Sequence, residues 1–288
     1  NCVSSSVLYT ILARSIGLKV GSVYTDDHVF CTVDTGEGRV DVETTNKYGY
    51  NPGEKKEFHD KFGRTGYTYV PPGNYHLRTN GDDRTLLAFI LQNRISDFER
   101  KRQYEKAVPL AVNRFFVLNT EEARKAMVKE FINYAAYLND RRKYGDALRF
   151  IDTVQTNYGG NSEYQRITTV LVNNMLATFV TNSQFEKALS FLQQQHQHNA
   201  IATPFFEEWV SRIEEKRTAE TIRTLPVDEA ISYLRSQYEA EKISKEQYAK
   251  MDQRCRERVV EAVEFAENAP QPPLDSIYED ILAPDETK

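Results

Sequence analysis

The chain has 288 residues, 40% of them apolar and 11% aromatic, enough to bury more than one hydrophobic core. Its formal charge is −5, of which Asp275, Glu279, Asp280, Asp285 and Glu286 against Lys288 supply −4. The rest is nearly neutral, which excludes the basic footprint of a nucleic-acid binder, and the longest apolar run, residues 86–91, is far short of the roughly 20 residues that cross a bilayer.

The first residue is Asn rather than Met, so the sequence reads as a fragment whose upstream part would carry any leader or anchor. Three cysteines, Cys2, Cys31 and Cys255, are too few and too odd in number for a disulfide framework, and they leave the compartment open. Val3, Val7, Leu8, Ile11, Leu12 and Ile16 recur at helical spacing, and Gly17-Leu18 supplies a left-handed stop with an apolar contact after it. A first helix is predicted over residues 3–16. A short strand follows at 20–24. Two alternating segments, 28–33 and 39–44, flank Asp34-Thr35-Gly36-Glu37-Gly38 and predict a β-hairpin. The alternation in that turn lacks the acidic ligands and flanking helices of a calcium loop.

Residues 46–82 are rich in Gly, Pro, Asn and Tyr and read as loop and edge structure, with a weak strand signal at 67–70 and a turn at 71–74. After Asp82-Asp83, a helix N-cap signal, the pattern is helical for nearly two hundred residues. Four segments recur there: Tyr104-Glu105-Lys106-Ala107, Tyr144-Gly145-Asp146-Ala147, Phe185-Glu186-Lys187-Ala188 and Val227-Asp228-Glu229-Ala230, with alanines 40, 41 and 42 residues apart. Each precedes an amphipathic stretch and follows another, which predicts repeated pairs of antiparallel helices. Residues 239–267 read as one long terminal helix, and 269–288 as a disordered, acidic, proline-rich tail.

The chemistry lies at the front. Cys2 stands at a helix N-terminus, where unsatisfied N–H groups and the positive end of the macrodipole favour thiolate. On the strand from His28, Val29, Cys31 and Val33 share one face and His28, Phe30 and Thr32 the other; on the next strand Val40 and Val42 oppose Arg39, Asp41 and Glu43. Matching the apolar faces puts His28 on the side of Asp41 and Glu43. With Val33 opposite Gly38, Glu43 lies directly across from His28 and Asp41 lies diagonal to it. Glu43 is then the favoured orienting acid; a two-residue slip would give that part to Asp41. His59 and His76 fall in the irregular region, Tyr48 and Tyr50 follow the acid strand, and His196 and His198, two apart on a helix, diverge and make a poor metal pair. No cofactor or metal site is read.

Together, Asn1-Cys2 with its helix through Gly17-Leu18, Asp27-His28-Val29-Phe30 and Glu43-Thr44-Thr45 resemble the nucleophile helix, histidine strand and Asp-x-Thr strand of the transglutaminase-like fold, with Glu in place of the family's Asp. The later segments resemble tetratricopeptide repeats in degenerate, lengthened form. The resemblance implies an α+β transglutaminase-like domain over 1–82 followed by an all-α repeat domain over 83–268. It also implies a Cys-His-acid triad of Cys2, His28 and Glu43 or Asp41, hydrolysis of a peptide or amide, and a protein or peptide partner on the repeats. The alternative is a non-catalytic scaffold whose front domain is degenerate and whose helices carry the whole function.

Overall fold

The computed structural model describes residues 1–25, 28–45, 49–50 and 78–269. Asp27, Tyr48, His59, His76, the strand signal at 67–70, the turn at 71–74 and the tail from 270 lie outside the described residues.

Helix α1 (Cys2–Ser15) begins at Asn1, whose side chain accepts the Ser4 amide at 2.9 Å, so Cys2 is the first helical residue. It ends as its sequence requires. Gly17 takes φ +88° and the Leu18 amide returns to the Ala13 carbonyl at 3.0 Å. The buried face is Val3, Ser6, Thr10 and Ala13, whereas Leu8, Ile11, Leu12 and Ile16 face outward, Ile16 with 76% of its surface exposed. The helix is where the apolar periodicity predicts it, but the face turned to the sheet is mostly its small-residue face. Small side chains allow close approach, and their hydroxyls find partners: Ser6 donates to the Val29 carbonyl at 3.3 Å, and Thr10 lies 3.6 Å from the Cys31 sulfur.

The sheet comprises β1 (Lys19–Tyr24), β2 (Val29–Asp34), β3 (Arg39–Val42) and β4 (Thr79–Gly81), antiparallel throughout in the order β3-β2-β1-β4. β2 is central and nearly all buried, as its Val-Phe-Cys-Thr-Val run predicts. The predicted hairpin is present, but with a register two residues from the one expected. Thr32 pairs with Asp41 and Val33 with Val40, because the loop is Thr35-Gly36-Glu37-Gly38, closed by the Thr35 amide and hydroxyl on the Gly38 carbonyl, each at 2.9 Å. Gly36 and Gly38, at φ +86° and +156°, supply the left-handed backbone this loop requires. A shift of two keeps each side chain on its face, so His28, Asp41 and Glu43 still share one.

The remainder is helical among the described residues: α2 (Asp83–Arg100), α3 (Tyr104–Leu118), α4 (Glu121–Asp140), α5 (Tyr144–Tyr158), α6 (Ser162–Thr181), α7 (Phe185–Gln197), α8 (Thr203–Thr224), α9 (Val227–Glu239) and α10 (Lys245–Asn268). The helical part opens with Asp82 as N-cap, accepting from Thr85. Ala107, Ala147, Ala188 and Ala230 are all completely buried. The turns into α3, α5 and α7 share one conformation: Arg102, Arg142 and Ser183 sit at φ 54–59°, and the next amide returns to Phe98, Leu138 or Phe179 at 2.8–2.9 Å. The long terminal helix expected over 239–267 is present but starts later, at Lys245. Glu241 adopts φ +57°, and Ser244 with Gln247 forms a reciprocal capping box that starts α10 anew.

The chain forms two compact units, residues 1–167 and 168 onward, the boundary falling within α6. The first contains α1, the sheet and α2 to α5. In the second, Ile222, Ala230, Leu234, Ile243, Met251 and Cys255 form a core. No helix among the described residues is long and apolar enough to cross a membrane.

Candidate active site

The N-terminus of α1 lies against the start of β2. Val3 and Val29 pack together with Leu86, and Cys2 rests on that cluster, half-buried and unoxidised. The Cys2 thiol lies beside the His28 side chain and the backbone amides of Val29 and Val3, and all three act on it. The neighbouring His28 is the main cause holding the Cys2 thiol below its ordinary value; burial opposes it, and the two amides add to the lowering. Cys31 and Cys255 go the other way. Burial pushes both thiols up, Cys31 beneath Thr10 and Ser6 on the inner face of the sheet and Cys255 in the core of the second unit. Of three cysteines, only Cys2 has its thiolate favoured.

The far side of the imidazole belongs to Glu43. His28 Nε2 donates to Glu43 Oε2 at 2.5 Å, which leaves Nδ1 as the ring nitrogen not taken by the carboxylate. Glu43 is only 2% exposed, so its charge needs partners. It has three: besides the imidazole, the Thr45 amide at 2.9 Å and the Thr45 hydroxyl at 2.6 Å both donate to Oε1. Burial disfavours the charged imidazole, yet the hydrogen bonds and charges of Cys2 and Glu43 outweigh it, and His28 is pushed up to about 9. The pair is therefore set toward thiolate and imidazolium.

Continuing the β2–β3 register places Glu43 across from Phe30, so it reaches His28 along the diagonal rather than directly. Asp41 lies on the same face but faces Arg78, which holds it bidentately at 2.7 and 2.8 Å. Arg78 in turn lies over the Phe30 ring, 5.6 Å from its centroid, and Phe30 stacks on His28 with centroids 6.1 Å apart. Phe30 and Arg78 thus back the imidazole, parts that sequence reasoning did not assign. Thr45 was legible in principle, since a threonine two residues after a buried acid can bond it locally. Arg78, 37 residues from Asp41, offered no such signal. Tyr50 is exposed and bridges to Val42.

Among the described residues no group of three or more His, Cys, Asp or Glu side chains is placed to hold a metal ion. His196 stacks on Phe206 with centroids 4.4 Å apart. A scan against protein-family models and searches of curated proteins and of solved structures returned no match.

Proposed function

We propose that this chain is a cysteine acyl-transfer enzyme of the transglutaminase-like kind, a peptidase or amidohydrolase, with tetratricopeptide-like helices that bind a protein or peptide. The reading is carried by one observation: a thiol, an imidazole and a buried carboxylate stand in series, Cys2 beside the His28 side chain that favours its thiolate and His28 hydrogen-bonded to Glu43. Serial contact of nucleophile, base and orienting acid is the geometric requirement for covalent acyl transfer.

His28 Nδ1 holds the proton of Cys2, and the thiolate attacks an amide carbonyl to form the C–S bond. The tetrahedral oxyanion develops beside the first turn of α1, whose leading N–H groups have no intrahelical acceptor. On collapse the C–N bond breaks, the imidazolium gives its proton to the leaving amine, and a thioester remains on Cys2. Water, deprotonated by His28, then releases the acid and restores the thiol. Glu43 keeps the ring in the tautomer that presents Nδ1, and Thr45 keeps Glu43 in place.

The test is the rate of Cys2 alkylation by iodoacetamide between pH 5 and 10, with mass spectrometry of the thioester formed from an activated peptide ester. Wild type is expected to be alkylated rapidly well below pH 9. His28→Ala should return the profile to that of an ordinary thiol, and Cys2→Ala should form no thioester. If Cys2 in the intact chain reacts no faster than a free thiol, the reading fails and a non-catalytic scaffold takes its place.

A further inference from the structure

Arg114, on α3, is a charge without a counter-charge. Its Nε is buried with no partner, and the guanidinium makes no hydrogen bond or ion pair among the described residues. Burial alone acts on it, lowering its pKa. A guanidinium taken out of water normally recruits a carboxylate or carbonyl oxygens, so an unpaired one calls for a ligand that completes it. The small cavity on one flank of Arg114, about 100 Å³, does not supply it. Glu130 there is pushed up to about 7 by its burial and by Glu99, and its Oε2 has no partner of its own.

The other flank opens into a pocket of about 700 Å³, walled by Tyr24 at the end of β1, by Arg84 and Phe89 on α2, by Leu118 beside Arg114 on α3, and by the start of α4. Two acids line it, and both are already engaged. Asp82 accepts the Thr85 amide and hydroxyl, each at 2.9 Å, while the Glu122 carboxyl is held below its usual range by its own amide and by Thr120 at the head of α4. Both acids keep their charge, so what the pocket offers an anion is the unpartnered guanidinium of Arg114 beside apolar walls, with Arg84 offsetting part of the negative charge at the rim. Its Tyr24–Phe89 wall, rings edge to face at 5.3 Å, packs on the same Val3–Val29–Leu86 cluster that holds Cys2. The pocket wall and the thiol thus rest on one apolar cluster.

We propose that this pocket binds a carboxylate of a peptide substrate through Arg114 and thereby seats the neighbouring amide at Cys2. The assignment of the pocket to substrate rests on the acyl-transfer reading above, but carboxylate binding itself needs no turnover. The planar guanidinium fork suits a carboxylate, and Arg84 adds positive charge on the opposite wall.

Calorimetric titration of the full chain carrying Cys2→Ala decides the matter with three probes: N-acetyl-trialanine with a free C-terminus, its C-terminal amide, and N-acetyl-Ala-Glu-Ala amide. At least one carboxylate-bearing peptide should bind about tenfold or more tightly than trialanine amide, the size expected of a hydrogen-bonded charged group. A preference for the free acid identifies a C-terminal carboxylate, and a preference for the glutamyl peptide identifies a side-chain one. Arg114→Met and Arg114→Lys should each remove most of the preference. Arg114→Met should melt no lower than its parent, since it removes an unpaired charge, and this separates lost binding from lost folding. Equal binding of all three peptides, no binding at all, or a preference that survives Arg114→Met would overturn the proposal. Slow Cys2 alkylation together with Arg114-dependent binding would instead sink the catalytic reading and leave the carboxylate pocket standing.

Discussion

Glu43 is one methylene longer than aspartate, and the β2–β3 register makes that length matter, because the carboxylate must reach His28 along the diagonal. Glu43→Asp is expected to lose the Nε2 bond, to slow Cys2 alkylation at pH 7 by about tenfold, and to destabilise the first unit by about 1–3 kcal/mol, the cost of leaving a buried charge under-bonded. Alkylation kinetics and denaturant titration measure both. Glu43→Gln keeps the length and removes the charge, so it isolates the electrostatic part. His28 is held above its ordinary value of 6.5, at about 9, and burial alone would have lowered it. Stability drawn from a raised imidazole is complete below 6.5 and is lost as pH climbs through about 9. The stability gap between wild type and Glu43→Gln should therefore be widest near pH 6 and close toward pH 9. A gap that widened with pH would mean that Glu43 stabilises the neutral ring.

At the scale of the element, the four recurring alanines each sit four residues into a helix, on its packed side. Their complete burial gives no room for a larger side chain. Ala147→Leu should cost about 1–3 kcal/mol by overpacking, whereas Ala262→Leu, on the exposed face of α10, should stay within about 0.5 kcal/mol. Equal effects in urea titrations would show that the alanine spacing is incidental to packing. The sequence carried these elements well, because periodicity, N-caps and Gly17 are local signals. It carried the face of α1 poorly: Leu8, Ile11 and Leu12 outweigh Ser6, Thr10 and Ala13 in any apolarity count, yet the sheet takes the small side because two hydroxyls can be satisfied there. Cys2, His28 and Glu43 were legible because one helix end and one hairpin face fix them within 43 residues. Arg78 and Arg114 were not, because each owes its environment to chain far away in sequence.

For the whole molecule, two compact units with separate cores imply that heat or denaturant acts on two bodies, and that a single two-state fit misdescribes the chain. Leu234 is the residue to test this with. It is fully buried in a cluster with Ile222, Ala230, Ile243, Met251 and Cys255, all within the second unit, and its loss leaves a cavity among side chains that cannot all collapse into it. Leu234→Ala should cost that unit about 2–5 kcal/mol. Calorimetry should show one component moving down by many degrees and the other staying in place. Cys2 alkylation at pH 7, run between the two midpoints, reports which body has melted. The rate should match that of the native chain, because the thiol, the imidazole and the carboxylate all lie in the first 43 residues and draw their support from α1, the sheet and α2. A fall in Cys2 reactivity that tracked the lower transition would mean instead that the helices of the second unit hold the thiol site in shape.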